Sequence, residues 1–498
     1  MKRCLWILFV ACAMAGASAG EGKQASERSA ADWQAMARGD LDLVHATIVS
    51  SHPGVIDTSN PGFNDWVESG YRQALALVPQ AISYDTAMSV VRFYTTGFLD
   101  GHLGYSDDVR SNQPVIHDGW SVDFVKGRYV VAAVLPDWPV AQPPLGAELV
   151  ACDGRSPDDI IRQDVAPFVD RRDDPTTRHA HAQEIGALHV SNRRLRHCHF
   201  RSADGSMRDL RVVYRPVSTK AFFSTLVHVA DASQRRGNGF TFQDGVLWIR
   251  AANFNLRSGT PDATGLEAML EALPGLAGVK TIVFDTRGNM GGDSTVGDRI
   301  FDAATGGLDY DRAGIERLPH VYAQWRVSGT LLATATQDAA RKASLYGESS
   351  AQVLASKRFL DQVKAALAAG ETWIEQDGDY RITRADIVAR HGRLRRFDGT
   401  VMLLTDAHCV SACLDFADVV RQVPGAIHLG QTTGSDTVYL EGGSVRLPSG
   451  NHLMLPLKVW RNRLRGNSEP LTPDIPLDVD MDDDAAVRKA VLAAQPSR

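Results

Sequence analysis

The sequence predicts a multi-part α/β protein, with a helical N-terminal part, a β-rich middle and a C-terminal α/β core that carries a helical insertion. Three observations carry this prediction. First, the runs Thr281-Ile-Val-Phe284 and Val401-Met-Leu-Leu404 are unbroken and apolar, as strands covered on both faces require. The second run leads into a segment whose Ala412, Phe416, Ala417 and Val420 recur at helical spacing. Second, Ala31 to about Phe98 shows helical periodicity; third, His117 to about Pro216 shows short alternating strands. A chain of 498 residues is long enough for two or three domains.

Taken in order, the chain opens with Lys2 and Arg3, an apolar run from Leu5 to Met14, and Ala17-Ser18-Ala19. These are the charged, apolar and small-residue parts of a secretory signal over 1–19. A membrane anchor needs a longer apolar run. Cys12 offers a lipoprotein alternative, but Phe9 three residues before it fits that pattern poorly, so export without an anchor, to the periplasm or beyond, is expected. Residues 20–30 read as a linker. A helical domain is expected over 31–115, from Trp33, Met36, Leu41, Leu43 and Val44 and then Trp66, Tyr71, Ala74 and Leu75, with breaks at Pro53-Gly54 and Pro61-Gly62. A β-rich domain follows over 116–217 and the core over 218–498. Within the core, residues 331–396 form an insertion with helical periodicity at Val353, Leu354, Phe359, Leu360, Val363 and Leu367, read either as a cover over the cleft or as a surface for oligomer contacts. The net charge of −6, with both signs spread throughout, gives no reason to expect nucleic acid.

If Cys4 and Cys12 leave with the signal, Cys152, Cys198, Cys409 and Cys413 remain, an even number that suits an oxidising compartment. Three pairings are open. Cys152–Cys198 with Cys409–Cys413 keeps each bond inside one domain and staples the turn around Ser411; buried free thiols are the alternative. His179 with His181 and His197 with His199 could bind zinc if they faced one way on a strand, but no third motif fixes a geometry, and they read as a solvated polar insertion. No metal or cofactor is called for.

Ser411 lies where the strand 401–404 ends and a helix begins. The first turn of a helix offers unpaired N–H groups and the positive end of the dipole, which stabilise an oxyanion beside a serine. A plain N-cap is the competing reading. Asp285-Thr-Arg-Gly-Asn-Met-Gly-Gly292 follows the other buried strand, and its glycines allow close backbone approach.

In this order the two stretches resemble the catalytic core of the tail-specific (C-terminal-processing) serine peptidases, whose pattern is Asp-x-Arg-x-Asn-x-Gly-Gly and later Ser-Ala before a helix. Asp285, Arg287, Asn289, Gly291, Gly292, Ser411 and Ala412 fill those places. Asp244-Gly-Val-Leu-Trp-Ile-Arg250, Gly430-Gln-Thr-Thr433 and Pro473-Asp-Ile475 followed by Val479 resemble further family motifs. The resemblance implies a core of the ClpP/crotonase-like kind and a divergent PDZ-like middle domain, which binds extended peptides by strand addition.

The Ser–Lys branch of the family places a lysine just after Gly-x-Thr-Thr; here that place reads Gly434-Ser-Asp436. The chain is therefore closer to the tricorn-core branch, which implies His102 as general base, with Gly101 where the family has a small polar residue, and Glu469 as its acid. His408 reads as a wall or cap, and Lys458 has no spacing that suggests a role. The oxyanion hole is expected from the N–H of Ala412 and one from the Gly291-Gly292 turn, with Asp285 and Arg287 as a structural ion pair. The function implied is an exported serine peptidase acting on peptides or unfolded proteins through an acyl-enzyme. A non-catalytic peptide binder is the rival, and acyl-CoA chemistry a remoter one.

Overall fold

The computed structural model describes residues 28–106, 114–172, 174, 176–189, 194–226, 237–256, 261–306, 321–377, 388–389, 392, 397 and 399–495. The signal expected over 1–19 and most of the insertion beyond 377 lie outside these residues.

The site stands on a six-stranded sheet ordered Ile475–Pro476, Ile427–Gly430, Thr400–Thr405, Thr281–Asp285, Val246–Arg250 and Gly239–Gln243. The first five strands are parallel and the last is an antiparallel edge. All five residues of Thr281–Asp285 are buried, as its run of apolar side chains requires. One face is covered by the helices Pro261–Ala272, Ser294–Thr305 and Ala412–Arg421, where Phe416 meets Phe254 and Phe284 edge-on at 5.7 and 5.4 Å. On the other face Trp248, Val283, Met402 and Leu404 pack with Val487 and Val491 of the helix Asp484–Ala493. In register, Asp285 lies opposite Leu404, so the glycine-rich loop and the serine turn emerge side by side at the carboxyl end of the sheet.

The N-terminal helices Ala30–Ser51, Gly62–Leu77 and Tyr84–Thr96 begin cleanly; Ser29 forms a capping box with Asp32, and Ser83 with Thr86. They do not make a domain with a core of its own. Trp33, Leu41, Val44, Val91 and Tyr94 share one core with Leu453, Leu455 and Leu457 of a second, antiparallel sheet, in which Gly104–Ser106, His452–Arg461, Tyr322–Arg326 and Trp373–Asp377 are successive neighbours. The same core takes in Leu331, Phe359 and Val363 of the helices Gly329–Tyr346 and Ala351–Ala369. The buried side of these two helices is thus taken up by the core, a long-range pairing that periodicity alone does not reveal, while Leu354 and Leu367 of the same periodic set remain exposed.

The middle segment is an antiparallel meander of Trp120–Val125, Arg128–Val134, Glu148–Cys152, His197–Arg201 and Met207–Arg211, with the helix Thr177–Gln183 against its first strand. Cys152 and Cys198 face each other on neighbouring strands and are disulfide-bonded. The histidine pairs divide. His197 and His199 flank the buried Cys198 on a strand, whereas His179 and His181 lie on a helix, and His181 is buried with its Nε2 donating to the Asp170 carbonyl at 2.6 Å. The solvated reading therefore fails for His181, whose ring the fold uses as a tie. Among the described residues no cluster of three metal-ligating side chains occurs, and no helix is long and apolar enough to cross a membrane.

Candidate active site

Ser411 occupies the N-cap position of the helix Ala412–Arg421, yet its side chain makes no capping hydrogen bond, and its backbone sits at φ 54°, ψ −126°. A non-glycine residue held there costs on the order of 1–3 kcal/mol and marks a functional constraint. The surroundings hold it in place. The Cys409–Cys413 disulfide brackets the serine, the Val410 N–H reaches the Asn289 carbonyl at 3.4 Å, and the Leu414 N–H donates to the Ser411 carbonyl at 2.8 Å. The hydroxyl is thus presented rather than used to cap.

Gly291 explains why the two loops meet so closely. At φ 90°, a Cβ on it would stand 2.8 Å from Ser411 Cβ and 2.8 Å from the Val410 carbonyl oxygen. Its own N–H is taken by Asn289 Oδ1 at 2.8 Å, and Asn289 is fixed in turn by donating to the Ala251 carbonyl at 2.6 Å. Among the described residues the N–H groups of Gly292 and Ala412 donate to nothing. Of the two glycines, Gly292 is therefore the free donor and Gly291 the residue of close approach. Asp406 joins the loops by accepting from Gly288 N–H at 2.9 Å and His408 N–H at 3.0 Å. Met290, 55 % exposed, sets an apolar side chain beside the turn.

Asp285 and Arg287 form the expected ion pair, at 2.6 Å and almost fully buried. Trp248 Nε1–H also donates to Asp285, and Arg287 continues to the Met481 carbonyl and Asp484, tying the strand end to the C-terminal helix.

His102 lies on the turn between the helix Tyr84–Thr96 and the strand Gly104–Ser106. Among the described residues its buried Nδ1 has no partner, and its ring makes no hydrogen bond to Ser411 or Glu469. Gly101 beside it lies under Arg172, where a Cβ would be 2.7 Å from Nη1. Glu469 is exposed and accepts the Gly466 N–H at 2.9 Å.

The place of the missing lysine is filled by Ser435, whose N–H and hydroxyl donate to Asp174 Oδ2 at 2.6 and 2.5 Å. Lys458 is buried, with its ammonium 2.5 Å from Glu441 Oε1 and over the rings of Trp325 and Trp460. Burial pushes its pKa down, against the pull of Glu441. It makes no contact with Ser411.

One feature escaped the sequence reading. The segment 433–437 joins every part of the site: Thr433 N–H to the Leu471 carbonyl, Gly434 against Val410, Ser435 to Asp174, Asp436 to Arg465, and Thr437 to Asp100. Its dense polar run Thr433-Gly-Ser-Asp-Thr437 was the available signal. His408, expected as a wall or cap, pairs with Asp406 Oδ2 at 3.3 Å, which raises its pKa above the ordinary histidine value. Its ring stacks on His179 of the middle segment at 5.6 Å, so it is a wall between parts of the chain.

No protein-family model and no curated protein matches the sequence. Among solved structures, a point mutant of CPAF superposes with a TM-score of 0.58 at 12 % identity, covering 94 % of this chain and 99 % of that chain. Mature CPAF complexed with lactacystin gives 0.56 at 12 % identity, covering 93 % and 99 %. The photosystem II D1 C-terminal processing protease gives 0.36 at 14 % identity, covering 90 % and 93 %. At such identities the CPAF likeness shows the fold alone: a mixed α/β protein with a parallel-rich sheet and N-terminal helices.

Proposed function

We propose that this chain is an exported serine peptidase that hydrolyses peptide bonds through an acyl-enzyme on Ser411. The observation that carries the reading is the positive φ of Ser411 at a strand–helix junction, with a glycine in van der Waals contact and two unused N–H groups beside it. Ser411 Oγ attacks the peptide carbonyl carbon while His102 takes its proton. The oxyanion faces the N–H groups of Gly292 and Ala412 and the positive end of the helix dipole. The tetrahedral intermediate collapses with the proton passed to the leaving amine, and water then hydrolyses the ester with His102 as base again. Glu469 is the acid for His102, recruited when its loop closes over a bound peptide. The buried, unpartnered Nδ1 of His102 supports a missing acceptor of this kind. On this reading the middle segment is a PDZ-like peptide binder, and the secretory signal expected over 1–19 would carry the protein to substrates outside the cytoplasm.

The test is intact-mass analysis of the protein with a fluorophosphonate. A single adduct on the wild type, none on Ser411→Ala, and formation at least about 100-fold slower in His102→Ala are expected. The second reading, a non-catalytic peptide binder, is favoured by the lack of a hydrogen bond between the His102 ring and Ser411; no adduct on folded wild type would establish it over the first.

A further inference from the structure

Three donors converge on one buried carboxylate in the turn that carries His102. Asp100 Oδ1 accepts the backbone N–H of His102 at 2.9 Å and the hydroxyl of Thr437 at 2.9 Å, and Asp100 Oδ2 lies 3.0 Å from Nε2 of His52. The tautomer of His52 follows from its other nitrogen. Nδ1 accepts the Gly54 N–H at 3.0 Å, so the proton sits on Nε2 and is donated to Asp100. His52 is fully buried and stacked on Phe63, with ring centroids 4.5 Å apart, so it cannot turn away. Burial drives the His52 pKa down, keeping the ring neutral. Burial alone would push the Asp100 carboxyl up, but hydrogen bonding from His52 outweighs it and holds the group below the usual carboxylate range. The pair is a neutral histidine donating to an ionised aspartate.

We propose that Asp100 is a positioning residue that locks the His102 turn to the 434–437 loop, and that His52 keeps its carboxylate aimed. This rests on the peptidase reading for its catalytic meaning. The geometry links three separated pieces of chain at one point: the end of the first helix, the base-bearing turn, and the loop whose Gly434 abuts Val410 beside Ser411. Only an acceptor-only group serves all three donors. An asparagine of the same shape turns an N–H₂ toward either His52 Nε2–H or the His102 and Thr437 donors, and one side of the clamp must open.

The experiment compares wild type, Asp100→Asn and Thr437→Val by fluorophosphonate kinetics and by amide hydrogen exchange. In Asp100→Asn we expect kinact to fall at least tenfold with KI unchanged, and exchange to rise together in 98–104 and 434–438 while the core strand 400–405 keeps its protection. Thr437→Val, which removes one donor and leaves the carboxylate, should move the same readouts in the same direction by about threefold. If Asp100→Asn does not fold, Thr437→Val carries the test. Unchanged kinact and unchanged exchange in a folded variant overturn the proposal, as does a rise in KI alone or a loss of protection spread over the core. If the wild type takes no label, the peptidase reading fails separately, and coupled exchange between the two segments still decides whether Asp100 locks them.

Discussion

The Ser411 side and the His102 side of the candidate site are built in different ways. Around Ser411 the structure is made by neighbours in sequence and by two parallel strands in register: a disulfide spanning four positions, a tight backbone turn, and a glycine pressed against the serine. Around His102 it is made by polar groups far apart in the chain, with His52 and Thr437 lying 48 and 337 positions from Asp100. The first arrangement is steric and tolerates no added atom. The second is a balance of donors and acceptors, tolerant of bulk and intolerant of a changed hydrogen-bonding pattern.

Two glycine substitutions sharpen that contrast most strongly. In Gly291→Ala the new methyl meets backbone and Ser411 Cβ at 2.8 Å with φ at 90°, so the turn must shift. A displacement of about 1 Å costs on the order of 100-fold in rate, and fluorophosphonate labelling should fall by that much. In Gly101→Ala the clash is with the guanidinium end of Arg172, a side chain held by Asp170, and with no backbone, so the side chain can shift and the fall should stay below about tenfold. Equal losses would break the distinction.

The two disulfides sharpen it next. Removing the bond over 46 positions should cost about 4 kcal/mol of stability and removing the one over four positions about 2 kcal/mol, by loop-closure entropy. Labelling should respond in the opposite order: Cys409→Ser with Cys413→Ser slows it about tenfold by freeing the Ser411 turn, while Cys152→Ser with Cys198→Ser leaves it within about twofold. Urea unfolding and labelling rates on the same two proteins check both halves.

A third contrast lies between two buried histidines. His52 has Asp100 beside it, whereas His428 in the core sheet contacts Thr405 Oγ1 at 2.8 Å and is pushed down to about 4 by burial. A histidine depressed in the folded state is protonated first in the unfolded chain. The stability gained by keeping it neutral is present above about pH 6.5 and is lost as pH falls toward about 4, by up to about 3 kcal/mol. His428→Gln should remove that part of the acid sensitivity, seen as a smaller difference between urea midpoints at pH 7 and pH 4.5; an undiminished difference would show that other groups carry it.

What the sequence made legible follows the same division. Ser411, Gly291, Gly292 and Ala412 lie in short motifs whose roles depend on local backbone, and the apolar runs 281–284 and 401–404 identify the strands that bring them together. The Asp100 clamp was not legible, because nothing in Asp100, His52 or Thr437 taken singly distinguishes a hub from a surface polar residue. The same holds for the insertion helices, whose periodicity announced an apolar face without naming what covers it. The motif indicated His102 by type and order; its partners are a property of the fold.

The smallest effect expected is at Glu469, and it bears on how the two sides are joined. Among the described residues its one side-chain hydrogen bond is to the exposed Gly466 N–H, worth about 1 kcal/mol, so little holds the carboxylate away from another partner. The loop itself is anchored, since Arg465 bonds Asp415 and Asp418 on the helix after Ser411 as well as Asp436, one residue before Thr437 of the clamp. Beyond Arg465, Ser468 N–H donates to the Asp436 carbonyl at 2.9 Å and Asn467 Oδ1 accepts the Val438 N–H at 3.0 Å, so a closure of the segment carrying Glu469 must break these bonds. If Glu469 supplies the acceptor that His102 Nδ1 lacks, Glu469→Gln should slow labelling by about tenfold, equivalent to about 1.4 kcal/mol, because an amide still accepts a hydrogen bond but does not stabilise the imidazolium by charge. Labelling rates measured with a small fluorophosphonate and with a peptidyl phosphonate separate the causes. A loss seen mainly with the peptidyl probe indicates that bound peptide closes the loop, whereas no loss with either removes Glu469 from the relay.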